Sequence, residues 1–335
     1  MGATIRDVAR AAGVGQATVS RVLNSSGYVH PDTRARVLQA AADLGFVPSQ
    51  TARSLVRKST ATVGLIIPDI TNPFFPAITR GVEDAASASG YTVFLCNTDN
   101  DPAMEAQDVR KLRERRVDGV IFVGATDRRD LMATLVAEGV PVVVTDRQVA
   151  DLDVDMVLVD NRAGALLACR HLIGLGHSRI AHAAGHLATR TGQDRLAGYR
   201  EALAEAGIAP DEGLVYTGDF TLESGYQAAE VLLGRTPRPT AIFCGNDLVA
   251  LGVLRAAEAA GLAVPDDLSI VGFDDILLAA LVRPALTTVR QPAYSMGELA
   301  MRMLLDRIAG ETGGSRRHLF QPELVVRSTT RGRAR

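Results

Sequence analysis

From residue 61 onward the chain repeats one pattern: a short run of apolar, mostly β-branched residues, then a helix-length stretch rich in Ala, Leu and Arg. Runs start at Val63, Tyr91, Gly119 and Pro141, and a second series starts at Arg179, Leu214, Thr240 and Leu268. Continuous apolar runs of this length suit strands covered on both faces, and strands separated by helical segments pair in parallel. Two series of similar units predict two α/β lobes, with the break near Asp160-Asn161. No apolar run approaches the roughly 18 residues of a membrane helix. The start, Met-Gly-Ala-Thr-Ile-Arg-Asp, has no apolar segment behind a basic one, so no secretory signal is expected. Cys96, Cys169 and Cys244 lie in apolar stretches without a CxxC pair, which predicts buried thiols in a reducing compartment. A cytoplasmic protein without a membrane partner is expected.

The first 60 residues follow a different period. Ile5, Val8, Ala9 and Ala12 recur at helical spacing and Gly13 ends the pattern. A second helix is predicted from about Gln16 to Asn24, with Val19, Val22 and Leu23 facing inward. Pro31 opens a third, which continues through Val37, Leu38, Ala41 and Leu44 to Gly45. Helix, tight turn and helix, backed by a third helix, is the arrangement of a DNA-binding helix-turn-helix. These 60 residues carry eight Lys/Arg against three Asp/Glu, whereas the other 275 carry an excess of seven acids. A basic head on an acidic body suits phosphate contact by the head alone. On the second helix Gln16, Ala17, Ser20 and Arg21 offer the side chains that read base edges: Arg for guanine, Gln for adenine, Ala for a thymine methyl. On spacing alone, a solvated face of an ordinary three-helix bundle explains them equally well.

The resemblance that adds to this reading is carried by Thr4-Ile-Arg-Asp-Val-Ala9, Gly13-Val14, Ala17-Thr-Val-Ser-Arg-Val-Leu-Asn24, Thr33-Arg34, Leu44-Gly-Phe-Val-Pro48 and Ala52-Arg-Ser-Leu55. The chain resembles the LacI–GalR family of bacterial transcription regulators along nearly its whole length. Gly15 stands where the family usually has a capping Ser, and His30 replaces the Ser before the third helix. The resemblance implies an all-α helix-turn-helix domain over 1–47 and a hinge helix or linker over 48–60. It implies a two-lobed, periplasmic-binding-protein-like body over 61–335 that binds the effector and dimerises. Lobe 1 is expected at about 61–160 and 292–320, and lobe 2 at about 161–291 and 321–330. The implied partners are double-stranded operator DNA, a small-molecule effector and a second copy of the chain. The DNA-contacting residues are then Thr4, Gln16, Ala17, Thr18, Ser20, Arg21, Asn24, Tyr28 and Arg34, with Ala52, Arg53 and Leu55 from the hinge. Leu55 matches a Leu that wedges into the central base step.

No Walker loop, GxSxG or HExxH occurs, and Gly174-Leu-Gly176-His precedes a strand instead of following one, so neither a cofactor nor a metal is expected and the chain reads as a non-enzyme. The informative polar residues stand at strand ends, where open α/β sheets bind ligands. Asp69, Asp146, Arg147, Thr189, Arg190, Thr191, Arg195, Phe220, Asn246 and Asp274 do so, and Phe74 and Phe75 offer ring faces. Carboxylates and Arg can clamp vicinal hydroxyls while an aromatic ring packs on a sugar face. Taken singly each has a structural alternative: Asn246 can cap a helix, Asp274 can hold a turn, Arg195 can form a surface ion pair. The resemblance places Arg195, Asn246 and Asp274 where sugar-responsive members hold hydroxyls, with Asp146, Phe220 and Gln291 also at effector-lining positions. The C-terminal half, notably Thr217–Phe220 and Leu286–Pro292, looks like the ribose and purine branches. Purine-responsive members place an Arg where this chain has Thr189, which favours a small sugar such as a pentose over a purine. A sugar-binding transport protein or a Rossmann-like enzyme are the alternatives from other classes, against which the basic head and the missing phosphate loop count.

Overall fold

The computed structural model describes residues 3–23, 26–46, 59–124, 129–149 and 151–333. The chain divides into two compact units, residues 1–62 with 116–118, and residues 63–115 with 119–335.

In the first unit, α1 (Ile5–Ala12) starts at Thr4, whose backbone N–H and hydroxyl both donate to the Asp7 carboxylate. It ends at Gly13, held at φ +63°, a left-handed turn that glycine enters without a Cβ penalty. α2 (Gln16–Leu23) begins on the Gly15 carbonyl, which accepts from the N–H groups of Thr18 and Val19. α3 (Pro31–Asp43) takes Pro at its first position, and His30 supplies no side-chain cap. The three helices bury Val8, Ala9, Ala12, Val19, Val22, Val37, Ala40 and Ala41. Leu38 and Leu44 are exposed, because the inward stripe of α3 runs through Val37, Ala40 and Ala41.

The second unit contains two six-stranded sheets. In the first, β1 (Thr62–Ile67), β2 (Thr92–Asn97), β3 (Gly119–Val123), β4 (Val142–Thr145), β5 (Asp155–Val159) and β11 (Arg317–Phe320) lie in the order β11-β5-β4-β3-β1-β2. In the second, β6 (Ile180–Ala184), β7 (Val215–Thr217), β8 (Ala241–Cys244), β9 (Ser269–Asp274), β10 (Thr287–Arg290) and β12 (Glu323–Val325) lie in the order β12-β10-β9-β8-β6-β7. Apart from β12, antiparallel to β10, the recorded ladders are parallel. Both lobes thus repeat one doubly wound strand order, whose switch point opens beyond the carboxyl ends of β1 and β3 in one and β6 and β8 in the other. β5, β10 and β11 were not among the runs expected from the sequence. β5 follows β4 through a loop instead of a helix, and β11 (Arg-His-Leu-Phe) is an edge strand without β-branched residues.

The connecting helices of the first lobe are α4 (Phe74–Ala88), α5 (Pro102–Glu114) and α6 (Arg129–Ala137). Those of the second are α7 (Asn161–Gly174), α8 (Arg190–Glu205), α9 (Leu222–Leu233), α10 (Asp247–Ala259) and the short α11 (Leu277–Leu281). α12 (Ala293–Ile308) follows β10 of the second sheet yet packs on α4 and the first sheet. The chain therefore passes between lobes after β5, after β10 and between β11 and β12. The pair α9–α10 approaches closely through glycine: a Cβ at Gly225 would lie 2.1 Å from the Val249 carbonyl oxygen. Cys169 and Cys244 are buried as expected, but Cys96 on the edge strand β2 is only half-buried.

Candidate functional site

A cleft of about 730 Å³ lies at the carboxyl ends of the two sheets. Of the thirteen residues expected to bind an effector, twelve line it: Asp69, Phe74, Phe75, Asp146 and Arg147 from the first lobe, and Thr189, Arg190, Thr191, Arg195, Phe220, Asn246 and Asp274 from the second. The thirteenth, Gln291, does not. It lies buried behind Asp274 and donates from Nε2 to Asp274 Oδ1 at 2.7 Å, so its contact is with a cleft residue and not with the cleft. Its place just beyond β10, beside β9, puts it one strand behind the lining.

Arg195 organises the floor. It projects from the first turns of α8 and is only 3% exposed. Its Nε donates to Asn161 Oδ1 at 2.9 Å, one Nη donates to the Gly245 carbonyl at 2.5 Å, and the other lies 3.7 Å from Asp274. The guanidinium stacks 3.7 Å from the centre of the Phe273 ring and 5.8 Å from that of Phe220, a cation–π contact made where water is excluded. Phe220 in turn rests on Gly185, where a Cβ would lie 2.1 Å from the ring.

Three buried carboxylates surround this one buried cation. Asp274 ends β9 with φ +114°, and Asp146 follows β4 with φ +73°, both uncommon for residues carrying a Cβ. Burial raises the Asp274 carboxyl to about 7; Arg195 and Gln291 pull it down and Asp146 pushes it further up. Burial also raises Asp146, against the opposing pull of Arg147 and Arg195. Asp247, absent from the expected set, is fully buried beneath Asp274. It accepts from the Thr288 hydroxyl and the Ile276 N–H, and burial together with Asp274 holds it well above the carboxylate range. Burial lowers Arg195, while Asp274, Asp146 and Asp247 favour its charge.

Several lining residues are tied to the scaffold as well. Asn246 caps α10, its Oδ1 accepting from Val249 N–H at 2.9 Å while its Nδ2 donates to the Phe220 carbonyl. Thr189 caps α8. Arg190 pairs with Asp194 at 2.9 Å, and Asp69 closes a turn by accepting from the N–H and hydroxyl of Thr71. Thr191 is buried with no hydrogen-bond partner for its hydroxyl among the described residues. The sequence reading missed Asn72, Asp99, Asn100, Gln148, His186 and Asp219, which also line the cleft. Asp99 and Asn100 carry positive φ, and an Asp-Asn pair after a strand was the available signal for such a turn. His182, four residues before His186, is instead a core residue stacked on Phe243, and burial depresses its imidazole to about 4.

On the head, Gln16, Ala17 and Arg21 share the exposed side of α2, with Thr18 and Ser20 half-buried beside them. Val19 and Val22 occupy the opposite, buried side. Tyr28 is exposed, Arg34 is half-buried, and the hydroxyl of Thr4 is held by Asp7. Asn24, Ala52, Arg53 and Leu55 lie outside the described residues.

Residues 4–49 match the profile described as bacterial regulatory proteins, lacI family, and residues 169–330 match a periplasmic binding protein-like domain. The ribose operon repressor of Halalkalibacterium halodurans is 41% identical over 333 residues, spanning 98% of this chain and 97% of that protein. The chain belongs to the lacI family of bacterial regulatory proteins. Among solved structures of similar proteins, a transcriptional regulator CelR–cellobiose complex shares 38% identity at a TM-score of 0.76, covering 98% of this chain and 99% of that one. The lac repressor dimer bound to operator and the anti-inducer ONPF shares 30% identity at a TM-score of 0.89, covering 99% and 100%. For this lacI-family chain the head is therefore the DNA-binding part of a transcriptional regulator. No helix among the described residues is long and apolar enough to cross a membrane.

Proposed function

We propose that the chain is a cytoplasmic repressor that binds a pseudopalindromic operator as a homodimer and is switched by a small polyhydroxyl effector, such as a pentose, in the cleft between its lobes. The observation that carries the effector half is the convergence of buried Asp146, Arg195 and Asp274 with ring faces from both lobes in one cleft. Two carboxylates and a guanidinium grip vicinal hydroxyls through charge-assisted hydrogen bonds, and Phe75 or Phe220 covers the apolar face of a sugar ring. In this reading residues 1–47 read DNA and 48–60 link the head to the body, with Leu55 wedging into the central base step. Residues 61–335 bind the effector and the second copy. Support for self-association comes from α11, where Leu277 is 74% and Leu281 60% exposed one helical turn apart. A purine or nucleoside is the second reading, favoured by rings on both lobes that can enclose a planar base.

An effector shifts DNA binding only by its differential affinity for competent and incompetent states. The test has two arms. Selection from random duplex DNA should return two-fold symmetric sites whose affinity falls steeply with salt. Arg21→Ala should relax the selected sequence, whereas Arg34→Ala should weaken binding without changing it. Thermal unfolding against pentoses, hexoses, disaccharides, nucleosides and purines tests the cleft, since a ligand at 100 times its Kd stabilises the fold by about 2.7 kcal/mol. A purine-only response would replace the sugar reading, and unaltered site preference in Arg21→Ala would refute the recognition helix.

A further inference from the structure

Among the described residues, three buried carboxylates, Asp146, Asp247 and Asp274, meet at the cleft floor around the fully buried cation Arg195, with the half-buried Arg147 next to Asp146. Asp274 and Arg195 are about nine-tenths or more buried and 3.7 Å apart, and Asp146, also buried, lines the same cleft from the other lobe. Asp247 lies beneath Asp274 with both carboxyl oxygens already engaged by Thr288 and the Ile276 N–H. The other charged or titratable side chains lining the cleft are Asp69, Asp99, Asp219, His186 and Arg190, the last paired with Asp194. α8 brings Arg195, the end of β4 brings Asp146 and Arg147, and α10 brings Asp247. β9 brings Asp274 and Asp275, the latter held by Arg290 and Arg327. The segment after β10 brings the neutral Gln291, and β6 brings His182, whose imidazole is neutral at physiological pH. Like-charged carboxylates sharing one buried cation cannot all ionise cheaply, and they titrate as a coupled set.

We propose that the cleft without effector keeps a proton on the Asp146–Asp274 pair at neutral pH, and that a polyhydroxyl effector displaces it to solvent by donating its hydroxyls to the two carboxylates. The displacement half rests on the effector reading above; the stored proton does not. A hydroxyl donor favours the ionised carboxylate, so binding releases a proton and tightens as pH rises. Asp146 and Asp274 come from different lobes, so the proton is lost where the lobes face each other. Proton release is thereby coupled to the contact that a bound polyol would bridge.

Two measurements on the full-length protein test this. The first is ligand-independent: unfolding free energy as a function of pH, wild type against Asp274→Asn and Asp146→Asn. A carboxyl raised on folding stabilises below its unfolded range and loses that contribution as pH climbs through its folded value. The stability of wild type relative to Asp274→Asn should therefore fall between about pH 4 and pH 7 and flatten above; the depressed histidines His171, His177 and His182 push the stability of both proteins upward over this range and cancel in the difference. Asp146→Asn is the second comparison if Asp274→Asn does not fold. A wild-type-minus-variant difference that does not fall with pH in this window, for both variants, overturns the stored proton whatever the ligand. The second is calorimetry with D-ribose and with cellobiose, each in two buffers of different ionisation enthalpy. The expected result is release of close to one proton below pH 7 and about a tenfold gain in affinity per pH unit there, levelling above. Binding without proton release overturns the displacement half while leaving the effector reading intact. Binding by neither sugar refutes the effector reading for both, and removes displacement with it.

Discussion

Asn246 is the position where scaffold and site are hardest to separate, and two substitutions separate them. Its Oδ1 caps α10 on Val249 N–H, and its Nδ2 holds the Phe220 carbonyl at 3.1 Å. Asn246→Ala removes both. Loss of a helix N-cap costs about 1 kcal/mol, and leaving a half-buried carbonyl without its donor costs about 1 kcal/mol more. Asn246→Ser keeps a good capping oxygen but is too short to reach Phe220, so it should lose only the second amount. Equilibrium urea unfolding should place the Ala variant about 2 kcal/mol and the Ser variant about 1 kcal/mol below wild type. The 1 kcal/mol gap then measures the cap. Freed from Asn246, the Phe220 loop should loosen over Arg195 in both variants, so ligand affinity should fall by a similar factor in each. Equal stability losses for Ala and Ser would refute the cap as an energetic contributor. A loss below about 0.5 kcal/mol for Ala would refute the structural role altogether and leave Asn246 as a ligand contact only.

Other expectations follow from the packing. Asp155 is fully buried and accepts from the guanidinium groups of Arg307 and Arg316 and from the Arg316 N–H. Burial pushes its carboxyl up, but these donors outweigh it and the net shift is downward. Asp155→Ala removes the buried acceptor shared by Arg307 and Arg316, while Arg316 keeps Asp306 and Glu311 and Arg307 keeps the carbonyls of Glu311, Gly313 and Gly314, and it should destabilise by about 2 kcal/mol in urea unfolding. Because the folded carboxyl is depressed, that contribution is present at neutral pH and is lost as pH falls below about 4, so wild type and variant should converge in acid. Gly225→Val should force α9 from α10 and lower stability by about 3 kcal/mol or more, read by the same unfolding curve. Leu281→Glu should shift the sedimentation equilibrium toward monomer while changing the stability of the isolated fold by less than about 0.5 kcal/mol, and an unaltered association constant would remove α11 from the interface.

Most of the architecture was legible because the physics behind it is periodic. Fully buried parallel strands need unbroken apolar runs, and VGLII, GVIFV, PVVVT and TAIFC supply them. The missed strands are those for which periodicity is not the cause. β11 is a four-residue edge strand fixed by its pairing to β5, with exposed Arg317 and His318, and its neighbours define it more than its own sequence does. β5 was hidden by the assumption that each strand is followed by a helix. Cys96 was misjudged because the apolar run Tyr91–Leu95 belongs to an edge strand, one of whose faces is only partly covered.

The site was legible as a set of positions but not as a set of roles. Parallel strands in one sheet end on one side, so polar residues that follow them converge whatever their individual purpose, and nine of the ten polar residues expected there did. Depth is another matter. Asn246 and Asp247 are adjacent at the end of β8, yet one lines the cleft as a cap and the other lies wholly beneath it, engaged by Thr288 and Ile276. Gln291 is drawn behind the lining by the register that sets Arg290 beside Asp274. The backbone adds a constraint that no side-chain pattern carries. Asp146 and Asp274 both sit at positive φ, so each aims its carboxyl from a conformation that a strand would not hold by itself. Two acids from different lobes, each in an uncommon conformation and buried around one arginine, are a poor solution for stability alone. Their arrangement is explained if an occupant that donates hydrogen bonds completes it, which is why stability and ligand affinity at these residues should move in opposite directions with pH.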